Sequence, residues 1–233
     1  MGFDFQAAYD ELNPADDDHR FYAALAATLG ARRVLDLGCG TGTLAHLLSR
    51  AGHAVVGIDP DPEMLRVARA KGDAGIDWRL GRSDVADTGS VDLAVMSGHV
   101  AQVFTADAAW DAVLADLHRA LVPGGTLAFE SRNPSARGWD HWTRDQTLRT
   151  VGGTELWHET VDVSLPLVAY DTVTRDLGTG AEARHRDVLA FRDLLALRGS
   201  LERAGFDVTA AYGDWSKLPV MDAAAEIVVI ARR

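Results

Sequence analysis

One short segment constrains the fold of this chain more than any other: a glycine-rich loop between an apolar run and a helical pattern. Residues 34–37 form a short apolar run typical of a buried strand, and residues 38–42 follow with the sequence Gly-Cys-Gly-Thr-Gly. Leucines at helical spacing come next, and Gly52 ends that helix. Such glycines permit positive φ angles and close approach of a ligand, and the helix N-terminus offers free N–H groups. A tight turn without a ligand has the same pattern, so the loop alone does not define a binding site.

Strand and helix patterns alternate along most of the remaining chain. Further strands are predicted at residues 54–58, 76–80, 91–96, 126–130, 208–212 and 227–231. Helices are predicted up to Leu29, from Pro62 to Lys71, over residues 106–121, and around residues 194–201. The first of these helices is expected to bury Phe21, Leu25, Thr28 and Leu29. This alternation predicts an α/β fold with a doubly wound parallel sheet, and the last two strands are expected to pair antiparallel.

The alternation stops between residues 134 and 189. Residues 155–163 and 167–175 have strand patterns, with Pro166 near the turn between them. We therefore predict an inserted antiparallel β lid at residues 135–189, after strand five of a single domain that spans residues 1–233. Because it interrupts the chain after strand five, this insert is expected to cover the cleft from one side only.

Two aspartates are placed to serve a ligand at the glycine loop. Asp36 lies inside the first strand, where a buried carboxylate is costly unless it orients the loop amides or accepts from a ligand ammonium. Asp59 ends the second strand, where a carboxylate can accept from both hydroxyls of a ribose, whereas the next helix is capped by Asp61. Thr43 replaces the last glycine of the dinucleotide pattern Gly-x-Gly-x-x-Gly, which speaks against a nicotinamide-dependent dehydrogenase.

Residues 34–42, Val-Leu-Asp-Leu-Gly-Cys-Gly-Thr-Gly, resemble the first motif of class I S-adenosylmethionine-dependent methyltransferases. Residues 83–85 resemble the family's adenine-contact motif, residues 96–99 fall at its fourth motif, and residues 121–125 resemble its turn before strand five. The resemblance covers residues 31–133, with topology alone matching beyond. It implies a Rossmann-like seven-stranded sheet whose last strand is antiparallel, S-adenosyl-L-methionine as cofactor and S-adenosyl-L-homocysteine as product.

The resemblance assigns a role to several side chains. Asp59 would bind the ribose, Asp84 would accept from the adenine amine, and Val85 would offer its backbone. Tyr9 resembles a tyrosine that covers the cofactor from the N-terminal segment. The complete set of predicted cofactor-binding residues is Tyr9, Asp36, Gly38, Cys39, Gly40, Gly42, Asp59, Pro60, Met64, Ser83, Asp84, Val85, Ser97, Gly98 and His99.

Transfer to a hydroxyl or an ammonium needs a group that takes the acceptor's proton. His99 is the candidate catalytic residue, and a pocket wall is the alternative for it. Two roles are open for Glu130, a structural contact and substrate binding. The predicted acceptor pocket consists of Phe104, Asn133, Trp139, Trp142, Trp157 and Tyr170. The insert favours a small-molecule acceptor methylated on O, N or C; the alternative function is a non-catalytic protein of this fold that binds the cofactor or its product.

Composition excludes several other classes of protein. The 233 residues carry a net charge of −11, which disfavours a nucleic acid partner. The single cysteine, Cys39, rules out an internal disulfide. No apolar run approaches the ~20 residues of a membrane span, and no basic, apolar leader opens the chain, so a cytoplasmic location is expected. No metal-ligand spacing is found, so no metal is predicted. The oligomeric state stays open.

Overall fold

A computed structural model of the protein describes residues 5–72 and 75–233. Its helices are α1 (Phe5–Leu12), α2 (Asp17–Leu29), α3 (Thr43–Arg50), α4 (Pro62–Ala70), α5 (Asp107–Ala120), α6 (Arg144–Thr147) and α7 (Leu194–Arg203). Its strands are β1 (Arg33–Leu37), β2 (Ala54–Asp59), β3 (Asp77–Leu80), β4 (Val91–Met96), β5 (Leu121–Arg132), β6 (Arg149–Val151), β7 (Thr154–Ser164), β8 (Leu167–Asp176), β9 (Glu182–Ala190), β10 (Asp207–Tyr212) and β11 (Glu226–Arg232). None of the described helices is both long enough and apolar enough to cross a bilayer.

The main sheet has seven strands in the order β10-β11-β5-β4-β1-β2-β3. Strands β1 to β5 pair in parallel, whereas β11 is antiparallel to both of its neighbours, β5 and β10. The doubly wound sheet with an antiparallel last strand is therefore confirmed. In this order β1 lies near the centre, so the glycine loop opens beside the carboxyl ends of β2 and β4, where ligands bind in sheets of this kind.

Helices cover the sheet on both faces because strand side chains alternate between two buried layers. One layer packs α5 and α7 against the sheet, with Trp110 and Phe129 at its centre, 5.6 Å apart between ring centroids. The other layer packs α2 and α3 against the opposite face through residues such as Tyr22 and Leu48, which are fully buried. Burial on both faces holds the strand ends at fixed positions.

The N-terminal region differs from the prediction of one helical stretch up to Leu29. The chain breaks between α1 and α2, because Pro14 cannot donate within a helix and Asp16 caps α2 with its side chain. The buried face of α2 is also not the predicted one: Tyr22 and Ala26 are buried, whereas Leu29 is exposed. Separated in this way, α1 is a short element that lies across the glycine loop.

The insert forms a second sheet of four antiparallel strands in the order β6-β7-β8-β9. Two of these strands, β7 and β8, match the predicted pair, and β6 and β9 extend it on either side. A small apolar core of its own contains Trp139, Val168 and Phe191. The insert is thus a structured layer beside the main sheet rather than a loop.

Candidate functional site

The glycine loop has a backbone that only glycine accommodates easily. Gly38, Gly40 and Gly42 have φ angles of 73°, 52° and 77°. A Cβ at Gly38 would overlap the side chain of Val100, and one at Gly42 would overlap the ring of Trp78. The loop is therefore fixed both by its own torsions and by its neighbours.

The Asp59 carboxylate binds this loop to the end of β2 through a hydrogen bond. Its Oδ2 accepts from the backbone N–H of Gly40 at 2.8 Å, and its Oδ1 accepts from the backbone N–H of Asp61 at 2.9 Å. Burial raises the pKa of this carboxyl, although the two backbone donors oppose the rise. Each carboxylate oxygen can accept a second hydrogen bond, so Asp59 keeps the capacity to bind hydroxyl groups.

Asp36 is a buried carboxyl group without a normal hydrogen bond. Only 1% of the residue is exposed, and neither carboxylate oxygen has a partner of hydrogen-bond geometry among the described residues. Burial raises its pKa to about 7, while nearby His19 and, to a lesser extent, the backbone N–H of Ala45 oppose the rise. A buried, unsatisfied carboxylate is costly, so this position suits a site that a cationic or hydrogen-bonding ligand completes.

Cys39 lies within the loop but is not a reactive thiol. Burial raises the pKa of its thiol far above the ordinary value, with Asp36 and Asp59 adding to the effect. The protonated form therefore dominates at neutral pH, and Cys39 acts as a small apolar residue of the loop.

His99 stands in a strained backbone position that a buried network holds. Its φ is +64°, unusual for a residue with a side chain, and its backbone N–H donates to Oε1 of Glu130 at 2.7 Å. The hydroxyl of Tyr22 donates to the other oxygen of Glu130, which is fully buried. The His99 imidazole Nε2 lies 3.0 Å from Oε2 of Glu226. Glu130 is thus a structural contact that sets the backbone of His99.

These residues meet at a cavity of about 450 Å³. Its walls come from α1, the start of α2, the glycine loop, the segment after β4, the end of β5 and the insert. They include Tyr9, Asp16, Asp17, Asp18, His19, Gly38, Cys39, Gly40, Ser97, Gly98, His99, Arg132 and Arg149. Eight of the predicted residues are therefore neighbours of one another or of the loop: Tyr9, Gly38, Cys39, Gly40, Gly42, Ser97, Gly98 and His99.

The first helix, α1, is tied to both sides of this cavity. Asp10 accepts from the hydroxyl of Thr41 at 2.5 Å and pairs with Lys71 at 2.5 Å. Two residues further on, at the C-terminal end of the helix, the carbonyl of Leu12 accepts from the Arg149 guanidinium of the insert. Burial raises the pKa of the Tyr9 hydroxyl, and Asp59 and Asp10 add to the rise.

The predicted adenine residues lie farther along the sheet, at the end of β3. The Ser83 hydroxyl donates to Asp116 at 2.7 Å, and Asp84 is exposed. The backbone of Val85 is already engaged, since its N–H bonds to Arg82 and its carbonyl accepts from Arg79. The structure does not place these three residues on the cavity beside His99, and their role in binding adenine stays a prediction.

Met64 and Pro60 also lie outside this cavity. Pro60 is exposed, and Met64 lines a separate cavity of about 560 Å³ together with Gln6, Asp61 and residues of β8 and β9. The insert therefore also faces α4, on the β2 and β3 side of the sheet. This corrects the expectation that it covers the cleft from one side only; long strands such as β8 and β9 reach across both sides.

The structure brings two of the six predicted acceptor residues together. The rings of Trp142 and Tyr170 are 4.9 Å apart, and the guanidinium of Arg132, which lines the cavity, lies 5.6 Å from the Trp142 ring centroid. Tyr170 also contacts His158, with 5.4 Å between ring centroids. These side chains place an aromatic group where the insert meets the end of β5.

Trp139 lies next to Trp142 in the small core of the insert, and the other three lie elsewhere for identifiable reasons. Phe104 packs on Trp110 in the core, and Asn133 donates to the carbonyls of Met221 and Ala224. Trp139 is buried against Phe191 inside the insert. Trp157 lies between the guanidiniums of Arg144 and Arg175 and donates its Nε1–H to Glu159.

Three residues of the site had no signal in the sequence: Glu226, Arg132 and Gln102. Glu226 begins β11, 127 positions after His99. Arg132 ends β5, and its backbone N–H and Nη1 both donate to Oε1 of Gln102. Each becomes recognisable only when the sheet order brings distant strand ends together. Within residues 5–72 and 75–233, no cluster of three His, Cys, Asp or Glu side chains could hold a metal ion.

The fold and the loop define a class of protein. A seven-stranded sheet of this order, with an antiparallel last strand and a Gly-x-Gly-x-Gly loop after β1, is the Rossmann-like fold of the class I S-adenosylmethionine-dependent methyltransferases. Residues 34–125 match a family model described as a methyltransferase domain.

Two curated relatives show which proteins share this sequence region. The ubiquinone/menaquinone biosynthesis C-methyltransferase UbiE of Rubrivivax gelatinosus is 34% identical over 120 residues, which cover 50% of this chain and 46% of the relative. The demethylmenaquinone methyltransferase of Tropheryma whipplei is 37% identical over 130 residues, covering 52% of each. The chain thus spans about half the length of these relatives.

Solved structures extend the likeness of fold to nearly the whole chain. The CcbJ methyltransferase from Streptomyces caelestis has a TM-score of 0.83 at 20% identity and covers 98% of this chain and 95% of its own. The CalS10 amino pentose methyltransferase from Micromonospora echinaspora was solved with S-adenosylmethionine bound. It has a TM-score of 0.72 at 18% identity, and the match covers 100% of this chain and 98% of the CalS10 chain. At these identities the likeness concerns the fold, including the inserted sheet region.

Proposed function

We propose that this protein is an enzyme that transfers a methyl group from S-adenosylmethionine to an O, N or C atom of a small molecule and releases S-adenosylhomocysteine. The observation that carries the proposal is the shared cavity. The glycine loop, Tyr9 and His99 line it, and Arg132 connects it to Trp142 of the insert. The cofactor site we propose at the glycine loop and the acceptor site we propose at the insert therefore adjoin at Arg132.

The residues present fit the proposed cofactor. Asp36 offers a buried carboxylate that lacks a normal hydrogen bond, Gly40 leaves open space at the backbone, and Asp59 can accept from hydroxyls. When bound, the cofactor supplies a methyl group activated by a sulfonium. The chain's contribution is to align the acceptor and to exclude water, which α1 and the insert do from opposite sides.

His99 is proposed to take the acceptor's proton, with Glu226 as its positioning residue. The Glu226 carboxylate accepts from Nε2, which fixes the neutral tautomer that carries its proton there and leaves Nδ1 as the basic nitrogen. Glu130 holds the backbone of the same residue. This arrangement favours catalysis over the alternative of a non-catalytic cofactor-binding protein.

A small-molecule acceptor is supported by the size of the cavity and by the acidic chain, whose net charge of −11 disfavours nucleic acid. Relatives named for quinone biosynthesis and a neighbour named for an amino pentose are consistent with it.

Calorimetry with S-adenosylmethionine, S-adenosylhomocysteine and NAD tests the cofactor assignment. We expect both methionine-derived ligands to bind and NAD not to bind. Release of S-adenosylhomocysteine is then measured against panels of phenols, quinols, amines and amino sugars, with His99→Gln as the comparison. Binding of NAD alone would overturn the proposal, and cofactor binding without product release in any panel would favour the non-catalytic alternative.

A further inference from the structure

Two guanidinium groups line the cavity and have no role in the transfer proposed above. These are Arg132, at the end of β5, and Arg149, in β6 of the insert; we call them the arginine pair. Neither makes an ion pair with a carboxylate among the described residues. Arg149 donates to the carbonyl of Leu12, and Arg132 donates to the side chain of Gln102. Most of their ten N–H donors are therefore available.

Arg132 is held rigidly in this position. Its Nη1 donates to Oε1 of Gln102 at 3.0 Å, and Gln102 is itself fully buried and donates to the carbonyl of Ala190 at 3.3 Å. The guanidinium also stacks over Trp142. Burial lowers its pKa, although Glu226 and Glu130 partly oppose this. An enclosed cation without a direct counter-charge is costly, and an anionic ligand relieves that cost.

The charges of both arginines affect the same residue of the insert, His158. Burial lowers the pKa of His158, and Arg132 and Arg149 lower it further. His158 contacts the ring of Tyr170, which in turn packs on Trp142. The Arg132 guanidinium therefore lies between the cavity and an aromatic corner of the insert that Trp142, Tyr170 and His158 form.

The sheet order places this corner on the acceptor side. β5, which carries Arg132, is two strands from β1, a distance of roughly 10 Å at ~4.8 Å per strand. Asp59 lies on β2, on the opposite side of β1. A cofactor that extends from the glycine loop toward Asp59 therefore extends away from Arg132.

We propose that the methyl acceptor carries an anionic oxygen group, a carboxylate or a phosphate, that the arginine pair binds beside Trp142. Guanidinium groups match the geometry of both anions with paired hydrogen bonds. Bound there, the acceptor reaches toward His99 with its opposite end. This inference rests on the proposed function and names the acceptor class of the same site.

Anion binding is tested by calorimetry on the protein loaded with S-adenosylhomocysteine, at constant ionic strength. The probes are benzoate, phenyl phosphate and the neutral benzamide. We expect at least one of the two anions to bind at least tenfold more tightly than benzamide, and Arg132→Gln to weaken that anion about 10- to 100-fold.

Arg137→Gln is the matched control, because Arg137 also stacks on a tryptophan of the insert, Trp139, but lies outside the cavity. It should bind like the wild type. If Arg132→Gln fails to fold, Arg132→Lys replaces it and should show an intermediate loss. Equal binding of benzamide and both anions, no anion binding, or unchanged anion binding without the Arg132 guanidinium overturns the inference; in the last case Arg132 only balances the charge of Glu226.

A second comparison separates the acceptor from the cofactor's own carboxylate. S-adenosylhomocysteine contains that carboxylate, and 5′-methylthioadenosine lacks it. We expect Arg132→Gln to bind both within about threefold of the wild type. A loss of more than tenfold for S-adenosylhomocysteine alone assigns Arg132 to the cofactor and overturns the inference, while the proposed function stands. A wild-type protein that binds neither ligand overturns the proposed function instead.

Discussion

Nε2 of His99 lies 3.0 Å from Oε2 of Glu226, although 127 residues separate the two in sequence. The same histidine donates its backbone N–H to Glu130 at 2.7 Å. Two carboxylates therefore fix one residue, one through the ring and one through the backbone. The backbone contact accounts for the positive φ of His99, and the ring contact selects the tautomer.

Removing the imidazole should slow transfer without weakening cofactor binding. If His99 takes the acceptor's proton, His99→Gln lowers kcat about 10²- to 10⁴-fold and the low-pH limb of the rate profile disappears. Glu226→Gln, which keeps the shape of the side chain but removes its charge, should give a smaller loss and shift that limb. Affinity for S-adenosylhomocysteine, measured by calorimetry, should stay within about threefold in both variants. A His99→Gln protein that keeps most of its activity would make this residue a pocket wall.

Asp59→Ala should weaken both S-adenosylmethionine and S-adenosylhomocysteine. Each lost charge-assisted hydrogen bond to the ribose costs roughly 1.5–3 kcal/mol, and the loop is also released because Gly40 loses its acceptor. The control is Asp61→Ala, two positions away, which removes the cap that accepts from Glu63 and a 3.3 Å hydrogen bond from Gln6. That control should lower stability by about 1 kcal/mol and leave affinity unchanged. Equal affinities of wild type and Asp59→Ala would remove Asp59 from the site.

The pKa of Asp36 predicts an unusual pH dependence of stability. In the unfolded chain this carboxyl ionises near its ordinary value of ~3.9, whereas burial raises its folded pKa to about 7. Between these two pKa values the folded state holds a proton that the unfolded state has lost. The contribution of Asp36 to the free energy of unfolding therefore falls as the pH rises from ~3.9 to about 7, and it levels off above that pH. Between about pH 5.5 and pH 8.5 this loss amounts to about 2 kcal/mol.

Asp36→Asn has no carboxyl to ionise at this position, so it should not lose stability in this way. The free energy of unfolding of the variant minus that of the wild type should therefore increase from pH 5.5 to pH 8.5. Urea unfolding at the two pH values measures the difference, and exposed Asp222→Asn, outside the cavity, should follow the wild type. Parallel curves for Asp36→Asn and the wild type would show that Asp36 is ionised in the folded protein.

Variants of the insert should separate acceptor binding from cofactor binding. Trp142→Ala and Tyr170→Ala remove the aromatic pair beside Arg132 and should raise KM or lower kcat for the acceptor, with cofactor affinity within about threefold. Trp157→Phe changes a tryptophan of the same insert away from the cavity and should leave both unchanged. Melting curves are needed alongside, because truncating a buried tryptophan costs ~3–5 kcal/mol. Folded variants that lose the cofactor but keep the acceptor would identify the insert as a cofactor clamp.

The central strands β1, β2 and β4 were predictable because each is a short, mostly apolar run bounded by glycine or by a cap. The loop at Gly38 and the cap at Asp61 mark turns by chemistry that works locally. The break before α2 was equally local, since Pro14 and Asp16 both signal it, but the helical pattern on either side obscured it.

Contacts across the fold were not predictable in the same way. β9 carries mostly exposed, charged side chains, so it lacks the apolar alternation of a strand; ion pairs such as Arg186 with Asp171 hold it to β8 instead. Phe104 and Asn133 follow strand ends as expected, but their side chains turn to the core and to a neighbouring loop. Position along the chain defines which strand end a residue occupies and not the direction of its side chain.

The attachment of the last turn of α1 to two different parts of the cavity has a kinetic consequence. Asp10 ties the helix to Thr41 of the glycine loop, and the carbonyl of Leu12 ties it to Arg149 of the insert. Further contacts join Asp10 to Lys71 and Gln6 to Asp61, so a ligand behind Tyr9 leaves on the α1 side only when some of these attachments open. Asp10→Asn and Arg149→Gln should therefore both shorten the residence time of the ligand, one by loosening the glycine-loop side of this helical turn and the other by loosening its insert side.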